Sequence, residues 1–356
     1  MGAACALGIA SCKDKEGEPA SAPAAKETAP AAPETPAAVE TPAAKPAAPM
    51  AENKEALLDY MIFHVGKQVG EYAGNAAWYE QVRDMRNMLE EYYNTLMASG
   101  EEPKTCMRLG LLLADITRTM RVYDKASKLY NDTLAQWESQ PEAERQSLEG
   151  RRMRSSIANG MGSCNLLSNK AADALPHYEK ALEIDKAIYD ELLPAGDGAL
   201  PTGNGITPDL ERAAEDVLSS YRCLGDCLRW ADDPEEARDT YKKGQALAVR
   251  MNNLRPGTTL QFIRLLSALG DLENSCGQLK NAQGAWVSAF QLGQNLLKMN
   301  LPAATRAKVI QDMRKLEESL KAISPKLRAE LEAAQAAEAE SAEPVTEPQN
   351  LTVPAE

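Results

Sequence analysis

Apolar residues recur every three or four positions along most of the chain between residues 52 and 323. That spacing places them on one face of an α-helix. Polar residues fill the remaining positions, and short segments rich in Gly, Pro or Asp separate one periodic stretch from the next. The pattern therefore predicts a series of amphipathic helices that bury their apolar faces against one another.

The predicted helices carry a repeated packing motif. Ala174, Tyr178 and Ala181 lie four and then three residues apart, so a helix aligns them on one stripe. Two alanines allow a neighbouring helix to approach closely, and the tyrosine ring fills the space between them. A large residue followed by glycine, Met161–Gly162, precedes the stripe and suits a close helix crossing. Further copies are Leu224–Gly225 with Ala237, Tyr241 and Gly244, Leu269–Gly270 with Gly277, Ala282, Trp286 and Ala289, and a fainter one, Leu113–Ala114 with Tyr123, Ala126, Tyr130 and Thr133.

This motif resembles the tetratricopeptide repeat (TPR), a hairpin of two antiparallel helices with a large–Gly pair followed by Ala, an aromatic residue and Ala. The resemblance implies an all-α fold, a right-handed α-solenoid of paired antiparallel helices with disordered termini. We expect the repeat domain to span 52–324, with copies near 106–137, 155–186, 218–249 and 263–294. The copies are further apart than the roughly 34 residues of a standard repeat.

Segments without the motif surround and interrupt the copies. Residues 52–99 and 302–323 have helical periodicity, and we interpret them as capping helices at the two ends of the array. The segment 194–208 is rich in Gly and Pro and is predicted to be a mobile surface insertion. Pro176 interrupts the second copy, and a helix capped by Asp173 would place it in the first turn, where no N–H is needed.

The two ends of the chain have a different composition. Residues 1–12 are small and apolar and end in Ile9-Ala10-Ser11-Cys12, which resembles a bacterial lipobox, although no Lys or Arg precedes it. The resemblance implies lipidation of Cys12; the alternative is an apolar N-terminus with ordinary thiols. Residues 13–51 form an Ala/Pro-rich linker predicted to be disordered, and 325–356 form an acidic tail predicted to be helical at first and then disordered. These features predict a lipid anchor at the bacterial cell envelope, at the outer membrane rather than the inner one.

Charge and residue types narrow the function. The 356-residue chain has a net charge of −13, which argues against nucleic-acid binding because such sites need clustered Lys and Arg. It has two histidines, His64 and His177, in different helices, and no pattern of nucleophile, base and orienting group. It has five cysteines beyond Cys12; Cys223 and Cys227, four apart on one helix, resemble half of a metal site, but no second pair completes it, so we interpret the thiols as core residues. We therefore expect no catalysis, no metal and no cofactor.

The TPR resemblance implies a concave groove lined by the first helix of each hairpin. Carrying the groove positions over residue by residue gives the candidates Arg108, Asp115, Arg118, Asn159, Arg222, Asp226, Arg229, Trp230, Arg264, Asp271 and Asn274. Three of these are Asp at the ninth repeat position, which departs from the Lys, Arg and Asn of the family's peptide-carboxylate clamp. Two interpretations stay open: a solvated face whose charges neutralise one another, or a polar groove that grips a protein or peptide.

A membrane-tethered scaffold for protein–protein interaction agrees best with these features. One alternative is a glycan-binding envelope lipoprotein, although sugar sites need aromatic platforms and the motif assigns the repeat aromatics to the core. The other is a cytoplasmic TPR adaptor, which applies if Cys12 is not lipidated.

Overall fold

The computed structural model describes residues 76–100, 103–194, 200–201, 205–252 and 254–341. Regular structure within these ranges is helical, and the all-α fold class is confirmed. The helices are α1 Ala76–Ser99, α2 Pro103–Thr119, α3 Tyr123–Glu138, α4 Glu142–Gln146, α5 Leu148–Leu167, α6 Ala171–Leu192, α7 Pro208–Trp230, α8 Pro234–Met251, α9 Pro256–Ser275, α10 Leu279–Leu297 and α11 Ala303–Ser341.

Four hairpins, α2–α3, α5–α6, α7–α8 and α9–α10, form the array, and each contains one copy of the motif. Equivalent turns join the two helices of each hairpin. Each turn has one residue with left-handed backbone: Arg121 (φ 62°), Asn169 (φ 59°), Asp232 (φ 62°) and Gly277 (φ 75°). Gly, Asn and Asp adopt this conformation at low cost. Short turns of one geometry make the helices of each pair antiparallel neighbours, as the TPR resemblance implied.

The motif aromatics lie inside the hairpins. Tyr178, Tyr241 and Trp286 are 3%, 0% and 3% exposed, which confirms that they are core residues. Their rings press against the glycine of the first helix: a Cβ added at Gly225 would lie 2.4 Å from the Tyr241 ring, and one at Gly270 would lie 2.4 Å from Trp286 Nε1. The large–Gly pair is therefore needed because the aromatic ring occupies the space of a side chain.

The additional residues between copies form defined structure. The short helix α4 and the Ser147 side chain, which accepts the Gly150 N–H, connect the first hairpin to α5. The insertion before α7 has a buried anchor: Leu200 is 1% exposed, and its N–H donates to the Met251 carbonyl over 2.8 Å. Leu200 therefore corrects the expectation of a wholly superficial insertion.

Two helices differ from the sequence prediction. α6 begins at Ala171, two residues before the predicted cap Asp173, so Pro176 lies inside the helix rather than in its first turn. The array tolerates this proline at the cost of one backbone hydrogen bond. α11 continues through Pro325 to Ser341, so the helix predicted for the start of the acidic tail is continuous with the capping helix 302–323. The lipidation site, the linker, residues 52–75 of the N-terminal capping segment and residues 342–356 lie outside the described residues.

Two hydrophobic cores fill the array. One is built from α1, α2, α3 and α5, and the other from α6 to α11. Buried polar side chains lie where they meet, among them Ser155, Asp185 and Ser220. None of the helices in the described ranges combines the length and the apolar character needed to cross a membrane.

Candidate functional site

The first helices of successive hairpins line two open clefts. The N-terminal cleft, between α2, α5 and α7, has a volume of about 540 Å³. The C-terminal cleft, between α7, α9 and α11, has a volume of about 490 Å³. The predicted groove residues found in these clefts are Arg108 and Asp115 in the first and Arg222, Asp226, Arg229, Arg264 and Asp271 in the second. The structure thus brings seven of the eleven candidates into two clefts.

The other four candidates lie elsewhere. Arg118 turns back to Asp115, with 3.3 Å between Nη2 and Oδ1. Asn159 lies behind the groove and donates to Ser220 Oγ over 3.4 Å. Neither Trp230 nor Asn274 is part of the cleft lining. Both belong to the last turn of their helices, and Trp230 is 47% exposed there.

The three groove aspartates accept hydrogen bonds from the core aromatics. In each case the donor lies fifteen residues after the acceptor, on the second helix of the same hairpin. The distances are 2.5 Å from Tyr130 Oη to Asp115 Oδ1, 2.6 Å from Tyr241 Oη to Asp226 Oδ1, and 3.1 Å from Trp286 Nε1 to Asp271 Oδ1. In the second copy, Ser163 and Tyr178 form the equivalent bond over 3.0 Å. The aromatic tips therefore reach through the hairpin to the groove.

These contacts explain why the family's clamp pattern is absent. Asp226 uses Oδ1 for the Tyr241 hydroxyl and Oδ2 for Arg222 Nη1, which lies 2.8 Å away. Burial and the neighbouring Asp226 carboxylate both raise the pKa of Tyr241, so this hydroxyl remains a proton donor. The ninth-position aspartate thus connects the core to the groove, and its carboxylate is occupied before any partner arrives.

Charges in the C-terminal cleft do not cancel. It contains three carboxylates and four cations, the latter being Arg222, Arg229, Arg264 and Lys315. Each carboxylate already has a donor: Asp226 and Asp271 as described, and Asp312 from Arg264 Nε at 2.8 Å. Within the described ranges, neither Arg229 nor Lys315 has a carboxylate oxygen within 4 Å. The cleft therefore has a net charge of +1 in a chain whose net charge is −13.

The N-terminal cleft is less polar. Leu111, Leu112, Leu148 and Met153 provide an apolar surface. Its arginines lie near carboxylates, as in the pair of Arg152 Nη1 with Asp209 Oδ1 at 2.6 Å. The two clefts therefore offer different chemistry to one extended ligand: apolar contacts at one end and an excess of one positive charge at the other.

Sequence reasoning missed seven charged or amide residues of the groove. Four precede the predicted groove positions of their helices, namely Glu149, Arg152, Asp209 and Arg212, and three come from α11, namely Gln311, Asp312 and Lys315. The sequence predicts only a capping role for the segment 302–323, which lies in α11. Its apolar residues Val309 and Leu316 are buried against the array, so its polar face continues the groove in the place of a further first helix. The amphipathic periodicity of this helix, which leaves one face polar, was the sequence signal for its part in the groove.

Cys227 and His177 lie in ordinary packed surroundings, whereas Cys276 is exposed. Cys227 is buried and donates to the Ala171 carbonyl over 3.5 Å, and burial raises the pKa of its thiol to about 11. His177 is half-buried, and burial lowers its pKa. No group of three or more His, Cys, Asp or Glu suited to a metal ion occurs in the part of the chain that the structure describes.

Fold and groove together define a TPR-like α-solenoid protein. No protein-family model matches the sequence, and no curated protein matches it. Among solved structures, BtubC (BKLC) from P. vanneervenii is similar with a TM-score of 0.43 and 15% identity, over 84% of this chain and 98% of that one. TPR-like repeats assigned to a kinesin light chain of Podosopora anserina have a TM-score of 0.43 and 13% identity, over 67% and 99%.

Proposed function

We propose that the protein is a scaffold that binds an extended, acidic segment of a partner protein along its groove, while a lipid at Cys12 tethers it to the bacterial envelope. Stacked helical hairpins build elongated concave surfaces of the kind that grip peptides and helices. The observation that carries the proposal is the excess positive charge of the C-terminal cleft, where, among the described residues, Arg229 and Lys315 form no ion pair within 4 Å and share the nearby Asp271 carboxylate.

An acidic partner follows from the charge of the rest of the chain. A net charge of −13 repels acidic molecules from most of the surface, so spare cations at one cleft direct them to that place. Basic partners would meet carboxylates that already have donors, and they would place a second cation beside Arg229. The glycan-binding alternative is less favoured, because Tyr178, Tyr241 and Trp286 are buried and offer no platform to a sugar ring.

Charge reversal tests the groove. A photo-crosslinking amino acid at Ser267, which lines the C-terminal cleft, should capture the partner in cells, whereas the same residue at the exposed Lys242 of α8 should not. With the captured partner purified, Arg229→Glu combined with Lys315→Glu should weaken binding at least tenfold, or about 1.4 kcal/mol. Raising the salt concentration should weaken the parent protein's binding as well.

A matched control uses the same types of charge outside the groove. Arg250 and Lys298 are exposed and are not part of either cleft lining, so Arg250→Glu with Lys298→Glu should leave the affinity within about twofold. Equal losses from both pairs of substitutions would refute a site in this cleft and indicate a general effect of net charge.

The tether is tested separately. Cys12→Ala, introduced into the native gene, should move the protein from the membrane fraction to the soluble fraction, because the acyl chain supplies the apolar surface that holds it there. If the fractionation is unchanged, the proposed lipid anchor at Cys12 is wrong and the cytoplasmic adaptor is favoured. The groove proposal does not depend on this result.

A further inference from the structure

Helix α7 borders both clefts of the groove. Its N-terminal part gives Asp209 and Arg212 to the N-terminal cleft, and its C-terminal part gives Arg222, Asp226 and Arg229 to the C-terminal cleft. Arg212 and Asp226 are fourteen residues apart on this helix, so about 21 Å separates them along its axis. The two clefts are therefore displaced from one another along the length of α7.

The clefts are also displaced across the array. The N-terminal cleft is centred on α5 and the C-terminal cleft on α9, with α7 between these two helices. The axes of packed helices lie about 8–10 Å apart, so two steps across the array amount to about 20 Å. This direction is perpendicular to α7, and a straight path between the two clefts is therefore about 30 Å long.

Close packing keeps this separation constant. α5 and α6 form a tight hairpin, in which a Cβ added at Gly162 would lie 3.0 Å from the Tyr178 ring and Ser163 Oγ lies 3.0 Å from Tyr178 Oη. α6 packs closely on α7, and α7 packs closely on α9. On the groove side, Arg152 of α5 donates to the Asp209 carboxylate at 2.6 Å and to the Asp209 carbonyl at 2.8 Å. A ligand that fills both clefts must therefore match a fixed distance.

The N-terminal cleft suits a large apolar side chain. Leu111 and Leu112 of α2 and Leu148 and Met153 of α5 supply its apolar lining. Its charged residues are three arginines and three carboxylates, so they balance. Covering the leucines removes apolar surface from water without burying an uncompensated charge of the cleft.

The C-terminal cleft suits a single carboxylate. Its cations exceed its carboxylates by one. Burial raises the pKa of Asp271, and the nearby cations Arg229 and Lys315 oppose that rise, so both act on the same carboxylate. One carboxylate from a ligand would complete the charge balance of the cleft. A second one would meet like charges at Asp226, Asp271 and Asp312, which is unfavourable.

We propose that the groove recognises an extended segment of a partner protein with two anchors about nine residues apart: one large apolar side chain for the N-terminal cleft and one carboxylate for the C-terminal cleft. An extended chain advances about 3.3 Å per residue, so about nine residues cover the path of about 30 Å, whereas a helix would need about twenty. This inference rests on the function proposed above and adds the number, the chemistry and the spacing of the anchors.

Selection from a random peptide library tests the spacing. The full-length protein selects binders from a display library of random peptides about 24 residues long. We expect the enriched peptides to share a large apolar residue and an Asp or Glu that are about seven to eleven positions apart. The same selection with the Arg229→Glu, Lys315→Glu protein should not enrich the acidic residue. The enriched peptides also give the order of the two anchors along the segment.

Affinities of one enriched peptide assign each anchor to its cleft. Replacing its apolar residue with Ala, or its acidic residue with the corresponding amide, should each weaken binding at least about fivefold, measured by fluorescence anisotropy. Leu111→Gln in the protein should remove most of the first effect, and Arg229→Gln with Lys315→Gln most of the second, because the contact is then already lost.

A matched control uses an apolar residue outside the groove. Val249 is 65% exposed on α8 and is not part of either cleft lining, so Val249→Gln should leave both effects unchanged. Circular dichroism verifies that each variant is folded, and Leu148→Gln replaces Leu111→Gln if the latter fails to fold.

Three results would overturn the two-anchor ligand: acidic peptides without a shared apolar residue, a spacing near twenty as a helical ligand requires, or an apolar effect that the leucine variant leaves unchanged. If the acidic residue alone couples to Arg229 and Lys315, the proposed function stands and only the second anchor is wrong. If no peptide is enriched over a selection without protein, or the enriched peptides lack an acidic residue, the proposed function is wrong as well.

Discussion

Replacing Trp286 with Ala should lower the thermal midpoint by at least about 6 °C, since loss of a buried tryptophan typically costs about 3–5 kcal/mol. The ring is 3% exposed, and it fills the space beside Gly270 where a Cβ would lie only 2.4 Å from Nε1. Its Nε1 also donates to Asp271 Oδ1 at 3.1 Å. Truncation therefore leaves both a cavity and a carboxylate without its donor.

Trp230 supplies the matched control for this experiment. It is 47% exposed at the end of α7, so Trp230→Ala should change the free energy of unfolding by no more than about 0.5 kcal/mol. Circular dichroism melts of both variants and the parent, recorded at one protein concentration, make the comparison. A Trp286→Ala protein that melts within a degree of the parent would contradict the register of the α9–α10 hairpin.

The burial of Trp286 could be predicted because the spacing of residues along one helix determines which side chains face the partner helix. Ala282, Trp286 and Ala289 define one stripe by the helical period alone, and the same spacing recurs in the other copies. Helix number and type follow from the same periodicity, so the all-α fold was accessible from sequence. Prediction succeeded where the determining contacts lie within one or two turns of a helix.

The groove was only partly predictable, because its chemistry depends on contacts across helices. Asp226 is a predicted groove residue and lines the C-terminal cleft, but its bond to Tyr241 requires the tyrosine tip to pass through the hairpin. Lys315 was missed because α11 was assigned to capping rather than to the groove. The local rules also failed at Pro176 and Pro325, where helices continue through a residue that lacks the donor N–H. A proline therefore does not end the helix at either position.

Asp185 shows a different limit. Its position in the helical pattern is compatible with either a core or a surface residue, and a carboxyl would ordinarily be assigned to the surface. Its burial depends on hydroxyls from two other helices, Ser155 and Ser220, that periodicity cannot bring together. A motif that describes residue spacing within one hairpin cannot predict polar contacts between neighbouring hairpins.

The glycines of two neighbouring helices should respond to the same substitution with opposite signs. Alanine is favoured over glycine inside a helix by about 1 kcal/mol. Gly284 of α10 has no atom within 4 Å of an added Cβ, so Gly284→Ala should stabilise the protein by up to that amount. Gly270 of α9 faces the Trp286 indole at 2.4 Å, and overpacking of this kind costs about 1–3 kcal/mol. Gly270→Ala should therefore be destabilising despite its higher helix propensity.

A double-mutant cycle shows whether the indole causes that penalty. In a Trp286→Leu background the indole is gone, so the Cβ at residue 270 no longer meets a rigid ring, and Gly270→Ala should cost at least about 0.5 kcal/mol less than in the parent. Urea unfolding of the four proteins gives the coupling free energy, with Gly284→Ala measured in both backgrounds as the uncoupled control. Equal costs in the two backgrounds would show that Gly270 is required for some reason other than contact with Trp286. A cost that falls only at residue 270 would establish that the large–Gly pair and the aromatic residue of the motif act as one packing unit.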